Sequence, residues 1–401
     1  MKVFSQLSTQ VRQYLLITAN YWAFTLTDGA LRMLVVLHFH QLGYSPVQIA
    51  MLFLFYEIFG VITNLLGGWL GARLGLNKTM NIGLVLQVLA LGLLLVPDDM
   101  LTVIWVMLAQ AISGVAKDLN KMSAKSAIKL LVKDDEQGSL YRWVAFLTGS
   151  KNTLKGVGFF LGAMLLALLG FKGAIATMAV TLALVWVCSL LFLSKDMGKA
   201  KRKPKFNELF SRNSAINRLS LARLFLFAAR DVWFVVALPV FLSSQFGWSH
   251  WAVGGFIAMW IIGYGVVQST APYLTAGKQN SKTAFLWVLT LSCVPVVIAF
   301  GLQQGINPLV SLIGGLFVFG AIFAVNSSLH SYLIVSFARK DGVSLDVGFY
   351  YMANAMGRLL GTVLSGWMFQ TQGFIACLIV SSVLLGIAAV VTYLIKNTAD
   401  S

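Results

Sequence analysis

Apolar runs of about 20 residues follow one another along nearly the whole chain, and they constrain its fold more than any motif does. A run of that length crosses roughly 30 Å of hydrocarbon as a helix, and a helix satisfies its own backbone polar groups where water cannot. Twelve runs fit, at about 13–38, 46–71, 79–97, 101–122, 141–169, 172–194, 217–242, 251–275, 283–301, 306–337, 343–369 and 373–395. Composition agrees, because 58% of the 401 residues are hydrophobic and only 11% are charged. A soluble domain carries about 25% charged residues. The expected class is therefore an all-α integral membrane protein with twelve transmembrane helices. The first run reads as a span and not as a cleavable signal: its core is too long, it holds Asp28 and Arg32, and no small-residue cleavage site follows. Cys188, Cys293 and Cys377 all fall inside predicted helices, which points to neither a disulfide framework nor a metal site. No cofactor is expected.

The formal net charge is +16, and its placement matters more than its size. Arg73, Lys78, Lys133, the run Lys195 through Lys205, Lys278, Lys282, Arg339 and Lys340 fall on alternate connections, whereas the other set offers only Lys172. By the positive-inside rule both termini are expected in the cytoplasm. The polar stretch SKDMGKAKRKPKFNELFSRNSAIN is the one long internal connection and lies near the chain centre. It divides an expected six-helix bundle over 1–194 from a second over 217–401, with 195–216 as a basic linker suited to anionic lipid. Nucleic-acid binding is excluded, since the basic residues are interleaved with spans and have no aromatic stacking platform beside them.

Charges inside the spans carry the functional information. Lys117, Lys121, Lys125 and Lys129 recur every four residues and so share a helix face, and Lys151 and Lys155 repeat the spacing in the next helix. Like charges at that spacing repel, and at membrane depth they need a wet cavity, lipid headgroups or a countercharge. An anion-holding cavity is one reading; for Lys125 and Lys129 the other is that the line has already reached the cytosol. Asp118 and Asn120 lie beside these lysines. Lys151 is about 15 Å along its helix from the expected cytoplasmic end, too deep for a headgroup lysine.

In helix 1, Asp28 and Arg32 are i, i+4 partners, either a neutral structural pair or an anion-gripping arginine held in place by its acid. Glu57 lies near the middle of helix 2. In the second half, Arg230 and Asp231 sit midway through helix 7, with Arg223 nearer the cytoplasm, pointing at the same cavity or snorkelling. His330 lies toward the inner end of helix 10, and Tyr351, Asn354 and Arg358 step round one side of helix 11. Arg358 reads as a site residue or as a structural partner of Glu57 or Asp231. TDGALRMLVVLHFHQLGYSP aligns loosely with ARDVWFVVALPVFLSSQFGWSH, placing Asp28 beside Asp231 and Gly43 beside Gly247, as two pseudo-symmetric halves with a midplane site would require. The chain offers no nucleophile constellation, metal cluster or phosphate-binding loop, which argues against an enzyme or a primary pump. A drug or sugar exporter would prefer a greasy or neutral cavity.

The stretch after helix 2 resembles the loop between the second and third helices of the major facilitator superfamily. Gly68, Arg73, Gly75 and Lys78 match that pattern, whereas Ala72 stands where the family usually has an aspartate, so an inner gate would need other contacts to close. Along nearly its whole length the chain further resembles the organoarsenical efflux permeases called ArsJ, through ANYWAFTLTDGALRMLVVLHFHQLGYSP, AKDLNKMSAKSAIKLLV, GSKNTLKGVGFF and RLFLFAARDVWFVVALPVFL. That resemblance implies export of 1-arseno-3-phosphoglycerate across a bacterial inner membrane by a monomer, in functional coupling with the glyceraldehyde-3-phosphate dehydrogenase that makes it. The alternative is another organophosphate or organic anion on the same fold. A ligand charged at both ends calls for two cationic subsites, read as Arg32, Lys151 and Lys155 in one half and Arg230 and Arg358 in the other. Lys121 belongs with the first group, and Asn354, Tyr351 and Asn120 are the expected neutral hydrogen-bond partners. Asp28, Glu57, Asp118, Asp231 and His330 are the groups available for coupling or charge balance, with no choice among them.

Overall fold

The structure, a computed structural model, describes residues 9–44, 52–131, 137–194, 198–200, 205, 210–211 and 213–395. The acidic turn at Asp134, Asp135 and Glu136 and most of the basic run from Lys195 to Arg212 lie outside the described residues. Described secondary structure is helical throughout, apart from turns: α1 Thr9–Gln41, α2 Leu54–Leu74, α3 Leu76–Leu93, α4 Val103–Leu131, α5 Gln137–Phe192, α6 Ser214–Phe234, α7 Ala237–Phe246, α8 His250–Leu274, α9 Ser281–Gln303, α10 Pro308–Phe337 and α11 Val343–Tyr393. Among the described residues, seven helical stretches are long and apolar enough to cross a membrane. The helices that carry the buried charges of the first half, α1, α2 and α4, are not among them.

Five of the expected spans differ in outline from the helices found. Those at 141–169 and 172–194 form the single element α5, broken only at Gly170, whose φ of 66° an L side chain rarely adopts. α11 is broken the same way at Gly373, with φ 80°. The span expected at 217–242 is interrupted: α6 stops at Phe234 and α7 starts at Ala237. Pro239 explains the interruption, because its ring displaces the carbonyl four residues back, that of Val235, and it has no N–H to return the bond. Helix starts elsewhere are capped from the sequence, by Asn213 accepting from Ala215 and Ile216, Ser249 from Ala252, and Asn280 from Thr283.

The described chain sorts into two compact units. The first comprises Met1–Gln137, Ser150–Phe210 and Ala338–Met352; the second comprises Gly138–Gly149, Ser211–Phe337 and Ala353–Ser401. In the first, Leu31, Leu34, Phe39, Leu91, Val106 and Phe171 belong to the buried core. Lys172 bonds Asp98 at 3.1 Å, so the lone basic residue expected on its side of the membrane meets the acidic VPDD turn. Ala72 is wholly buried, and its carbonyl accepts the N–H of Ala200. The opening of α11 lies on α2, where Ser344 Oγ donates to the Gly68 carbonyl at 2.7 Å. In the second unit Trp233, Trp260, Phe319 and Phe323 form an aromatic centre, with Trp233 edge-on to Phe319 at 5.0 Å. Large apolar side chains also face outward, as Leu168, Leu191, Val297 and Val363 do, which suits helices solvated by lipid.

Candidate functional site

In the first unit the buried charges are arranged around two tyrosines. Arg32 bonds Glu57 at 3.1 Å and not Asp28, although Asp28 is the partner its own helix offers. Tyr56 is the reason. Its hydroxyl donates to Asp28 Oδ1 at 2.7 Å, and its ring lies 5.1 Å from the Arg32 guanidinium, so one side chain of α2 satisfies the acid and stacks with the base. Lys117 Nζ lies 3.8 Å from the same ring centroid. Lys155 belongs to the same level, because a Cβ on Gly29 would come within 2.6 Å of the Lys155 carbonyl, which makes α1 and α5 touch backbone to backbone there. Lys151 is half-buried one turn before it.

The second tyrosine is Tyr351, 4% exposed, with Lys121 Nζ at 4.9 Å and Lys125 Nζ at 5.3 Å from its ring. Lys121 also bonds Asp118 Oδ1 at 2.7 Å. Lys125 and Lys129 are 4% and 7% exposed, so both side chains are packed within the protein. Asn120 is completely buried, and neither of its amide atoms has a hydrogen-bond partner among the described residues. Such an orphaned amide costs about 1–3 kcal/mol and marks a place where water or a ligand group could bind.

The second unit brings three expected residues into one cluster. Asp231, with no exposed surface, accepts from Arg230 Nε through Oδ1 at 2.6 Å and from Arg358 Nε through Oδ2 at 3.4 Å. Two guanidinium groups on one carboxylate leave a net positive charge. Arg230 is further fixed by aromatic faces, its guanidinium lying 4.7 Å from Phe227, 5.4 Å from Phe323 and 5.7 Å from Phe234. Gly361 makes the cluster possible, since a Cβ there would stand 2.8 Å from the Asp231 Cβ and 2.6 Å from the Ala228 carbonyl.

Asn354 is drawn elsewhere in the same unit. Its Oδ1 accepts from Arg223 Nε at 2.8 Å, while Arg223 Nη1 donates to the Ser327 hydroxyl at 3.0 Å and carbonyl at 3.2 Å. Arg223 is therefore buried within the helix packing and does not snorkel; its guanidinium stacks 4.0 Å from Phe227, the ring that Arg230 also uses. Asn354, expected as a neutral partner for substrate, is thus bonded to Arg223 in this structure. His330 is fully buried, with neither ring nitrogen hydrogen-bonded among the described residues. Sequence reading missed Tyr56 and Phe227. Phe227 had a signal, since Arg223 stands four residues before it and Arg230 three after in an otherwise apolar run, whereas Tyr56 has only the adjacent Glu57 on its own helix.

The family described as Major Facilitator Superfamily matches residues 14–343. Among solved structures, the chain is similar to the human organic anion transporter MFSD10, with TM-score 0.77 and 16% identity over 96% of this chain and all of that one. It is similar to the fucose:proton symporter FucP of E. coli, with TM-score 0.75 and 12% identity over 98% of this chain and 100% of the other. A bacterial homologue of the iron transporter ferroportin, in an outward-facing state, gives TM-score 0.73 and 13% identity over 95% and 98%. No curated protein sequence matches the chain.

Proposed function

Because the chain belongs to the Major Facilitator Superfamily, we propose that it is a secondary transporter of a small, multivalent organic anion, working by alternating access. It is a transport protein and not an enzyme. The observation that carries the anion reading is the Arg230–Asp231–Arg358 cluster, where two arginines share one buried carboxylate and so keep net positive charge within the helices. A neutral sugar gains little from such a centre. MFSD10 is described as an organic anion transporter, which supports the same class. In this proposal Arg230 and Arg358 of the second unit grip an oxyanion of the substrate.

Within that class, the resemblance to ArsJ points to 1-arseno-3-phosphoglycerate, exported as glyceraldehyde-3-phosphate dehydrogenase forms it, with arsenate resistance as the consequence. Efflux of an anion from a negative interior is favourable by about 2.3 kcal/mol per charge per 100 mV, so no coupling ion is required. The proposed topology counts the two arms of α5 and of α11 separately and α6 with α7 as one span. That gives twelve spans, an even count that leaves both termini on one side, and the basic connections favour the cytoplasmic side of a bacterial inner membrane. A cysteine at position 201 (Lys201→Cys) is then expected to resist an impermeant thiol reagent on intact cells and to react after lysis. Reaction on intact cells would reverse the topology.

Substrate is tested in inside-out vesicles supplied with labelled glyceraldehyde 3-phosphate, NAD and the dehydrogenase, with either arsenate or phosphate. Uptake that depends on arsenate supports the organoarsenical; equal uptake with phosphate, or of 3-phosphoglycerate alone, supports the wider organophosphate class. No uptake of any of these over vesicles lacking the protein would overturn the anion reading.

A further inference from the structure

Asp231 is the group in the cluster that most needs a reason. A membrane site meant only to attract anions does best with bare cations, yet the residue next to Arg230 supplies a carboxylate that occupies it. That carboxylate has no exposed surface, whereas the side chains of Arg230 and Arg358 are 15% and 30% exposed. It is divided between the two arginines, one oxygen to each Nε. The bond to Arg358 is the longer, and Arg358 is the more exposed partner. Arg230, by contrast, is held at 2.6 Å and is stacked among Phe227, Phe234 and Phe323.

We propose that Asp231 is an internal competitor for the transported anion, holding Arg358 until a multivalent oxyanion takes it and thereby excluding monocarboxylates. The proposal rests on the anion-transport reading and adds what the site selects against. A tethered carboxylate is already in place and has no translational freedom left to lose, so a free carboxylate of the same charge cannot displace it. A phosphate or arsenate ester brings about two charges and several oxygens, enough to meet a guanidinium fork with two parallel bonds. It can take Arg358 while Asp231 keeps Arg230. The same competition speeds release, because the Asp231–Arg358 bond re-forms as the anion leaves. Asp231 acts through the arginines and is a positioning residue; its signature is a change of selectivity and of the balance between KM and maximum rate.

The test uses the full-length protein in proteoliposomes, with labelled 3-phosphoglycerate as substrate and glycerol 3-phosphate and glycerate as competitors. In the parent, glycerol 3-phosphate is expected to compete about 100-fold better than glycerate. Asp231→Asn is expected to narrow that ratio by about tenfold, to lower the KM for 3-phosphoglycerate and to lower the maximum rate, whereas Asp231→Glu keeps the parental discrimination. A correctly inserted asparagine variant with parental ratio and KM would overturn the proposal, as would one that binds both competitors more weakly, which is the mark of a purely structural acid. If the asparagine variant fails to insert, the parent and Asp231→Glu decide: glycerate competing as well as glycerol 3-phosphate in the parent, or a ratio in the glutamate variant that departs from the parental one by about tenfold, overturns the proposal. A parent that carries none of the three anions sinks the anion reading itself, an outcome distinct from a parent that carries 3-phosphoglycerate without discriminating.

Discussion

Arg230→Gln is expected to abolish export and also to reduce the amount of folded protein, and the two losses are separable. Asp231 is fully buried and its short bond is to Arg230, so removing that guanidinium leaves the carboxylate with the 3.4 Å bond to Arg358. Breaking a buried ion pair from one side costs about 3–5 kcal/mol, a large part of the stability of a whole domain. Arg230→Gln combined with Asp231→Asn removes both charges and is expected to recover folded protein, measured by size-exclusion profile and thermal melt in detergent, without recovering export. Arg358→Gln should be the cleaner loss of function, since its bond to Asp231 is long and its side chain is partly exposed; export falls to background while folding suffers less. Lysine at either position restores charge but not the planar fork, and rescues incompletely. Lys282→Gln, at an exposed position in the first turn of α9, should match the parent. If the double variant folds and exports at the parental rate, Arg230 is not an anion ligand.

That expectation depends on contacts only partly legible in the sequence. A membrane-spanning, all-helical chain follows from the apolar runs, and the break at Gly170 falls in the gap between two expected spans, because both are set by local chemistry. The pairing of Arg358 with Asp231 stood among the sequence readings as the structural alternative. Other partners contributed across helices were not legible. The i, i+4 rule assigned Arg32 to Asp28, and it fails because Tyr56 from α2 takes the acid and leaves the base to Glu57. Asn354 looked available on its own helix but is used by Arg223 from α6. Lys125 and Lys129 sit at a position where hydropathy alone could place them in lipid headgroups; their burial comes from neighbouring helices. The interruption after Phe234 was readable from Pro239, whose effect reaches four residues back.

Gly357→Leu and Gly361→Leu are each expected to disrupt the second unit and, through it, export. The two glycines lie one turn apart on α11, and each meets a carbonyl of α6: a Cβ on Gly357 would collide with the Leu224 carbonyl, and one on Gly361 would stand 2.6 Å from the Ala228 carbonyl. Leu224 and Ala228 are themselves one turn apart, so the contact is the small-xxx-small arrangement that lets membrane helices approach closely. A side chain cannot fit between two backbones without parting them. Overpacking typically costs about 1–3 kcal/mol, and a clash against rigid backbone belongs at the upper end of that range or beyond. Parting α6 from α11 also lengthens a bond already at its limit, that of Arg358 to Asp231 at 3.4 Å, so export should fall even in the fraction that folds. Gly366→Leu is the matched control, on the same helix, where an added Cβ meets nothing within 4 Å. Melting temperature and initial export rate are measured for all three variants at matched expression. A Gly361→Leu protein as stable and active as Gly366→Leu would mean that α6 and α11 do not pack through these glycines, and the geometry of the arginine cluster would fall with that contact.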